Sequence, residues 1–235
     1  MSLTLKCLFE QLPSENIADL TALLNQHWHL QGAGQFIVSA YLAIEDGAVA
    51  DGSRWRQPRY NNRLKALLSL EVRGDGNNIP ALVPAWPLLG LYTVESTEVL
   101  SPKAVQQTSS DQRTPGSLQV CLFRLGTQLS RDSALRHWRQ EHAAIACATQ
   151  STFGYRQHLI TGSKNANSAA FDGLVEEYFP DGALSSAEVF FNAKNSQQVA
   201  EHIAALTDSS SHFIDMTSLL VNHLSEYKID LTIGQ

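Results

Sequence analysis

The chain has 235 residues, of which 43% are hydrophobic and 17% charged, with a formal net charge of −6. This is the composition of a folded globular protein long enough to bury a sizeable core. It excludes nucleic acid as a default partner, because phosphate binding relies on clustered Lys and Arg. No apolar run approaches the roughly 20 residues needed to cross a bilayer, so no membrane association is expected. The opening Met1 to Glu10 lacks the basic region, long apolar core and cleavage site of a signal peptide. Cys7, Cys121 and Cys147 are widely spaced, without a Cys-x-x-Cys pair. Together these features lead us to expect a cytoplasmic protein with reduced, buried thiols.

Leu3 to Phe9 reads as a strand, and Pro13-Ser14 opens a helix whose apolar stripe is Ile17, Leu20, Leu24 and Trp28. Gln35 to Ile44 and Leu64 to Val72 are predicted strands. Pro80, Pro84 and Pro87 limit any helix between Ile79 and Trp86 to a short or broken one, and Leu88 to Glu95 closes as a strand. Residues 101–117 hold two prolines, a glycine and four serines with almost nothing to bury, and read as a linker. Beyond it, Leu118 to Leu125 is a strand and a helix capped near Ser130 runs to about Thr149. Phe153 to Ile160 follows as a strand, then a loop from Thr161 to Ala169 and a strand from Phe171 to Phe179. Helical segments between Ala183 and Ala205 and a last strand from Leu224 to Thr232 complete the chain.

The order β-α-β-β-α-β thus occurs twice, once clearly in residues 118–235 and once less clearly in residues 1–100. Each such unit leaves one sheet face uncovered, and stacking the two buries both. The expected fold is α+β: tandem ferredoxin-like βαββαβ units forming a pseudo-symmetric, two-sheet α+β barrel. Both halves carry a His-Trp pair, His27-Trp28 and His137-Trp138, although Gly32 stands where His142 would align.

The helix Ser133-Ala-Leu-Arg-His-Trp-Arg-Gln-Glu-His142 carries the most informative polar residues. At about 100° per residue, Leu135, Trp138, His142, Ile145 and Thr149 share one stripe. His142 therefore lies beside Trp138 on the face that buries, and His137 points roughly 140° away from it by the same count. So separated, the two histidines cannot form the i, i+4 pair of a zinc helix, and no metal site is expected.

Residues 118–230 resemble the EthD family of the dimeric α+β-barrel superfamily. The resemblance rests on Ser133 to His142, Gly154-Tyr-Arg-Gln-His158, Phe171-Asp-Gly-Leu-Val-Glu176, and the closing His212-Phe-Ile-Asp215 with Glu226-Tyr227. It covers about half the chain; the first half is assigned by element order alone. Members of the family are small proteins linked to ether degradation and polyketide tailoring, often classed as oxidoreductases. Related barrels include cofactor-free anthrone monooxygenases and lactone isomerases, with pockets between sheet and helices. The resemblance therefore implies a pocket walled by His142 and Trp138. Glu177 departs from the pattern, standing where the family more often has an apolar residue.

Histidine titrates near neutral pH and can exchange a proton with a bound enol or phenol. His142 is the candidate base; the alternative is a core histidine bonded to a backbone carbonyl or to Glu176. Glu176 and Glu177 are adjacent on a strand and place one carboxylate on each face. One must be buried, and a buried carboxylate must pair or take up a proton. Pairing with His142 or Arg156 would orient the base. Arg156 and His158 share a strand face that reads as solvated; if it lines the pocket instead, Arg156 could hold a carboxylate or phenolate. Tyr155 lies on the opposite face. Trp138, His137, Tyr155, Arg156 and His158 are the candidate substrate contacts. Arg54, Arg56, Arg59 and Arg63, interleaved with Trp55 and Tyr60, read as a solvated loop, a lid or a subunit contact. No Gly-rich phosphate loop, nucleophile elbow or His-Glu-x-x-His is present, so no cofactor is expected. The expected function is a small cofactor-free oxidoreductase or acid–base catalyst acting on an aromatic or ketide-like molecule. The alternative is a non-catalytic small-molecule-binding or accessory protein. A homodimer through sheet edges is compatible with either.

Overall fold

Strands with apolar residues on both faces need cover on both, and the chain supplies it by closing its sheet into a barrel. The computed structural model describes residues 2–55, 57–58, 64–74, 79–102 and 112–231. In chain order its elements are β1 (Ser2–Phe9), α1 (Ile17–Leu30), β2 (Ile37–Ile44), β3 (Gln57–Pro58), β4 (Ala66–Arg73), α2 (Ile79–Leu82) and β5 (Leu88–Leu100). The second half contributes β6 (Ser117–Phe123), α3 (Arg131–Arg136), α4 (Ala143–Thr149), β7 (Gly154–Ser163), β8 (Gly173–Phe179), α5 (Ala187–Phe190), α6 (Ser196–Phe213) and β9 (Leu220–Lys228). The strand order is β2-β4-β1-β5-β7-β8-β6-β9, and β9 pairs back onto β2, closing an antiparallel barrel of eight strands. The two-residue β3 pairs with β9.

Closure follows from the alternation along each strand. In β1, Leu5, Cys7 and Phe9 point outward against Leu20, Leu24 and Trp28 of α1. Leu8 points inward, where it meets Leu67, Tyr92, Val120, Leu122, Leu174 and Leu224. In the second half the outward residues Phe123, Tyr155 and Val175 pack under Trp138 and Phe213. Four apolar clusters result among the described residues: one inside the barrel, one beneath α1, one beneath α3, α4 and the end of α6, and a smaller one around Phe179, Phe190, Phe191 and Val199. The seams are β5–β7, from Tyr92↔Ser163 to Leu100↔Tyr155, and β2–β9, from Tyr41↔Lys228 to Ile44↔Ser225.

The two sheets anticipated from sequence are thus joined edge to edge as well as packed face to face. The expected loop from Thr161 begins later, because β7 continues to Ser163 against β5. The helical stretch expected up to Ala205 runs on to Phe213, so His212 and Phe213 end α6 and do not lead into the last strand. That strand begins at Leu220, four residues before the expected Leu224. Asp215 takes a turn role, accepting from the Thr217 backbone at 3.0 Å and pairing with Arg124 at 2.7 Å. Of the expected linker, residues 103–111 lie outside the described residues. Its last part follows β9: the Thr114 N–H donates to the Glu226 carbonyl at 2.8 Å. Gly116 then turns at φ +81°, where a Cβ would meet the Phe179 carbonyl oxygen at 2.0 Å. In the arginine-rich loop, Arg56, Arg59, Tyr60 and Arg63 lie outside the described residues. Trp55 stacks on Phe190 at 4.9 Å, which ties the start of that loop to α5.

Candidate active site

Ser130 caps the helix that leads into the site, its hydroxyl accepting from the Ser133 N–H at 3.3 Å. After α3 the backbone widens into a π-helical turn over His137–His142 before returning to α-helix at Ala143. This turn overturns the helical count made from sequence. Bonding from i to i+5 brings residues five apart onto one side. His137 Nε2 stands 3.0 Å from Ser209 Oγ on α6, and His142 Nδ1 stands 3.1 Å from the same oxygen. The two histidines are therefore neighbours. His137 Nε2 also reaches the Ser209 carbonyl at 3.1 Å, and its Nδ1 is 2.9 Å from Glu141. Burial, and after it His137, pushes His142 down to about 4, so its ring is neutral at pH 7. It packs on Phe213 at 5.0 Å. Its polar partner is a hydroxyl, not the backbone carbonyl or carboxylate considered from sequence. Among the described residues, no group of three His, Cys, Asp or Glu is arranged to hold a metal ion.

Trp138 leaves the same turn toward the sheet. It is buried edge-on against Phe123 at 5.0 Å, and its indole N–H has no hydrogen-bond partner among the described residues. Its backbone carbonyl accepts from Gln157 Nε2 at 3.0 Å, and the same amide donates to the Tyr155 hydroxyl at 3.0 Å. Beside Tyr155 on the helix-facing side of the sheet lies Glu177, 5% exposed. One oxygen accepts from Gln119 at 3.0 Å and the other has no partner among the described residues. Burial, only partly offset by Gln119, pushes this carboxyl up to about 7. Burial and then Glu177 raise the Tyr155 phenol well above its ordinary value. The same two causes raise the thiols of Cys121 and Cys147.

Glu176 faces the other way, into the barrel. It forms a short ion pair with Lys6, stands 3.1 Å from His158 Nε2 and 3.9 Å from Arg156, and accepts from Ser69 Oγ at 3.4 Å. Burial alone would raise its carboxyl, but Lys6 and then His158 outweigh that and hold it well below the usual range. His158 Nδ1 lies 2.7 Å from Ser96 Oγ. Burial and then Lys6 push the His158 ring down, against the opposing pull of Glu176. Arg156 sits over the Tyr178 ring at 5.6 Å, and the Tyr178 hydroxyl donates to Glu226 at 2.8 Å.

The face of β7 that read as solvated is therefore the barrel interior, and His158 on it is buried. The polar side chains of that face meet Ser96 and Glu98 of β5 and Glu176 of β8. The structure gathers the candidate residues into three groups. His137 and His142 meet at Ser209. Trp138, Tyr155 and Glu177 share the helix-facing layer. Arg156, His158 and Glu176 share the barrel interior. Sequence reasoning missed Ser209, Gln119, Gln157, Ser69, Ser96 and Lys6. A signal existed for Lys6, the one cation in the otherwise apolar run Leu5 to Phe9.

Residues 127–217 match the family described as EthD domain. No curated protein matched the sequence. Among solved structures, one described as an anthrone oxidase-like protein aligns over 100% of this chain and 94% of its own, with TM-score 0.55 and 10% identity. Another, described as a candidate monooxygenase from Lactobacillus acidophilus NCFM, aligns over 98% of this chain and 96% of its own, with TM-score 0.48 and 8% identity. At such identities the likeness concerns the fold, and only the first is close enough to bear on it. The matched stretch holds the π turn, Trp138, Tyr155 and both buried glutamates, so what this chain shares with the EthD family is residues 127–217.

Proposed function

We propose that this protein is a small oxidative enzyme acting on an aromatic or ketide-like molecule, with Glu177 moving the proton in its helix-facing layer. The observation that carries this reading is Glu177 itself: a buried carboxyl, one of whose oxygens has no partner among the described residues, poised near pH 7. A general base works best when its pKa lies near the working pH. His142, the base expected from sequence, is the poorer match, since a ring that protonates only at about 4 is a weak base at neutrality. Its place at Ser209 suits it to fix the π turn that carries Trp138. In the proposed reaction ionised Glu177 takes one proton from an activated CH2 group beside an electron-rich ring. The carbanion adds O2 and takes that proton back from Glu177, giving a C–OOH group that loses water with the second C–H proton to leave a ketone. Tyr155, held as a neutral phenol and accepting from Gln157, has its own O–H to donate to the substrate oxygen.

With the two-residue β3 left out, the strand orders β2-β4-β1-β5 and β7-β8-β6-β9 are identical when each half is counted from its own first strand. This supports reading residues 1–100 and 118–235 as two ferredoxin-like units joined by 101–117. One chain then supplies both sheets of the barrel, so a homodimer is not needed to close it.

A second reading, as a binding or accessory protein, draws on how closely the layer is filled: Trp138, Tyr155, Phe123 and Phe213 are all buried. Oxygen uptake with anthrones, phenols and β-keto acids separates the two. Glu177→Gln is expected to lower kcat by about 10²–10⁴, with a smaller effect from His142→Asn. If His142→Asn abolishes turnover and Glu177→Gln does not, the base is the histidine. If ligands raise the melting temperature without turnover, the binding reading holds.

A further inference from the structure

We propose that the mouth of the barrel holds a second chemical site, in which Ser96 is a nucleophile toward small activated esters, His158 its base and Glu176 the group that positions the base. This site lies across the sheet from Glu177 and does not depend on the oxidative reading.

Strand β5 runs past the end of β1: their last pair is Thr4↔Val94, while β5 continues beside β7 with Ser96↔His158 and Glu98↔Arg156. Ser96 is exposed there, yet its hydroxyl is 2.7 Å from the ring of the buried His158. On the far side of the ring, Nε2 lies 3.1 Å from the buried Glu176 carboxylate, a charge contact without the alignment of a full hydrogen bond. The ionised Glu176 carboxylate beside Nε2 favours the tautomer of the neutral ring that carries its proton there. Nδ1 is then left to accept from Ser96. Hydroxyl, imidazole and carboxylate in sequence are the signature of an activated nucleophile, recognised by geometry and not by chain order. Catalytic contacts of this type are commonly loose until substrate arrives.

Stability does not account for the arrangement. A buried ion pair such as Lys6–Glu176 is often no more stabilising than apolar residues of the same volume. Arg156, whose side chain is 32% exposed, is next along the same strand face and pairs with Glu98 at 3.6 Å. It is the cation placed to meet a developing oxyanion or an anionic acyl group.

In the first step the Ser96 Oγ–acyl carbon bond forms and the hydroxyl proton passes to His158 Nδ1. The ester C–O bond then breaks, and the proton goes to the departing oxygen. Water, deprotonated by the same ring, attacks the acyl-serine to release a carboxylic acid and restore the hydroxyl.

The full-length protein is treated with p-nitrophenyl acetate and, separately, with an alkyl fluorophosphonate. The expected result is a burst of one p-nitrophenolate per chain and an adduct on the peptide containing Ser96. Ser96→Ala, a change at an exposed position, should abolish the burst, and His158→Gln should slow it on the order of 10³-fold. The rate should fall in acid, with a midpoint below the ordinary histidine value, because the ring must be neutral to accept the proton. Adduct mapping on the unmodified chain remains decisive even if His158→Gln unfolds. An adduct elsewhere, a burst surviving Ser96→Ala, or equal labelling of folded His158→Gln would each overturn the proposal.

Discussion

Lys6→Met alone is expected to destabilise the protein by about 3–5 kcal/mol, whereas Lys6→Met combined with Glu176→Leu is expected to be close to neutral. Both side chains are nearly inaccessible, 3% and 2% exposed, so the pair has left water at high cost and is repaid only by its mutual contact. Removing the ammonium leaves a buried carboxylate facing His158, Ser69 and a distant Arg156. Removing both charges lets the interior pack as apolar surface with Leu8, Leu67 and Val120. Urea unfolding of the two variants against the parent checks this. Similar losses in both would show that the pair itself, and not the stranded charge, stabilises the barrel. The pH dependence carries a matching sign. Glu176 is held below its unfolded value, so its contribution is present above about 4.5 and is lost only as pH falls through the lower folded value.

Glu177→Gln is expected to make the protein more stable above neutrality, with the opposite sign of pH dependence. Burial pushes the Glu177 carboxyl from its ordinary 4.5 to about 7. A carboxyl raised in this way contributes stability that is fully present below 4.5 and is lost as pH rises through about 7. The loss amounts to roughly 3 kcal/mol, because each pKa unit is worth about 1.4 kcal/mol. The neutral amide has the same shape and no charge to bury. The variant should therefore match the parent near pH 4 and exceed it at pH 8 by up to roughly 3 kcal/mol. Thermal melts at the two pH values check it; a variant less stable than the parent at pH 8 would mean that ionised Glu177 has a favourable partner.

Local pattern carried much of this structure. The apolar runs Leu3 to Phe9 and Leu118 to Leu125 and the stripe Leu20, Leu24, Trp28 suffice to place their elements, because such patterns and capping are properties of neighbouring residues. The consecutive glutamates were legible as one carboxylate per face for the same reason. That both are buried was not, since one face is covered by α3, α4 and α6 and the other by the opposite half of the barrel. Arg156 and His158 lie near Glu176 in sequence, but its other partners are 170 residues away at Lys6 and 107 residues away at Ser69, beyond any local signal. The relation of His137 to His142 failed for a different reason. A uniform 100° step assumes α-helix, and one π-helical turn changes the phase of every residue after it. Nothing in His137 to His142 announces that turn, whose two rings dock against Ser209 and Phe213 of α6, distant in sequence.

The most direct test of the central assignment is an infrared titration of the Glu177 carboxyl, taken as the difference between the parent and Glu177→Gln. The stretch of the protonated acid should persist through pH 5 and 6 and disappear with a midpoint near 7. A midpoint at the ordinary value of 4.5, or no difference band at all, would contradict a neutral-pH proton carrier in the helix-facing layer.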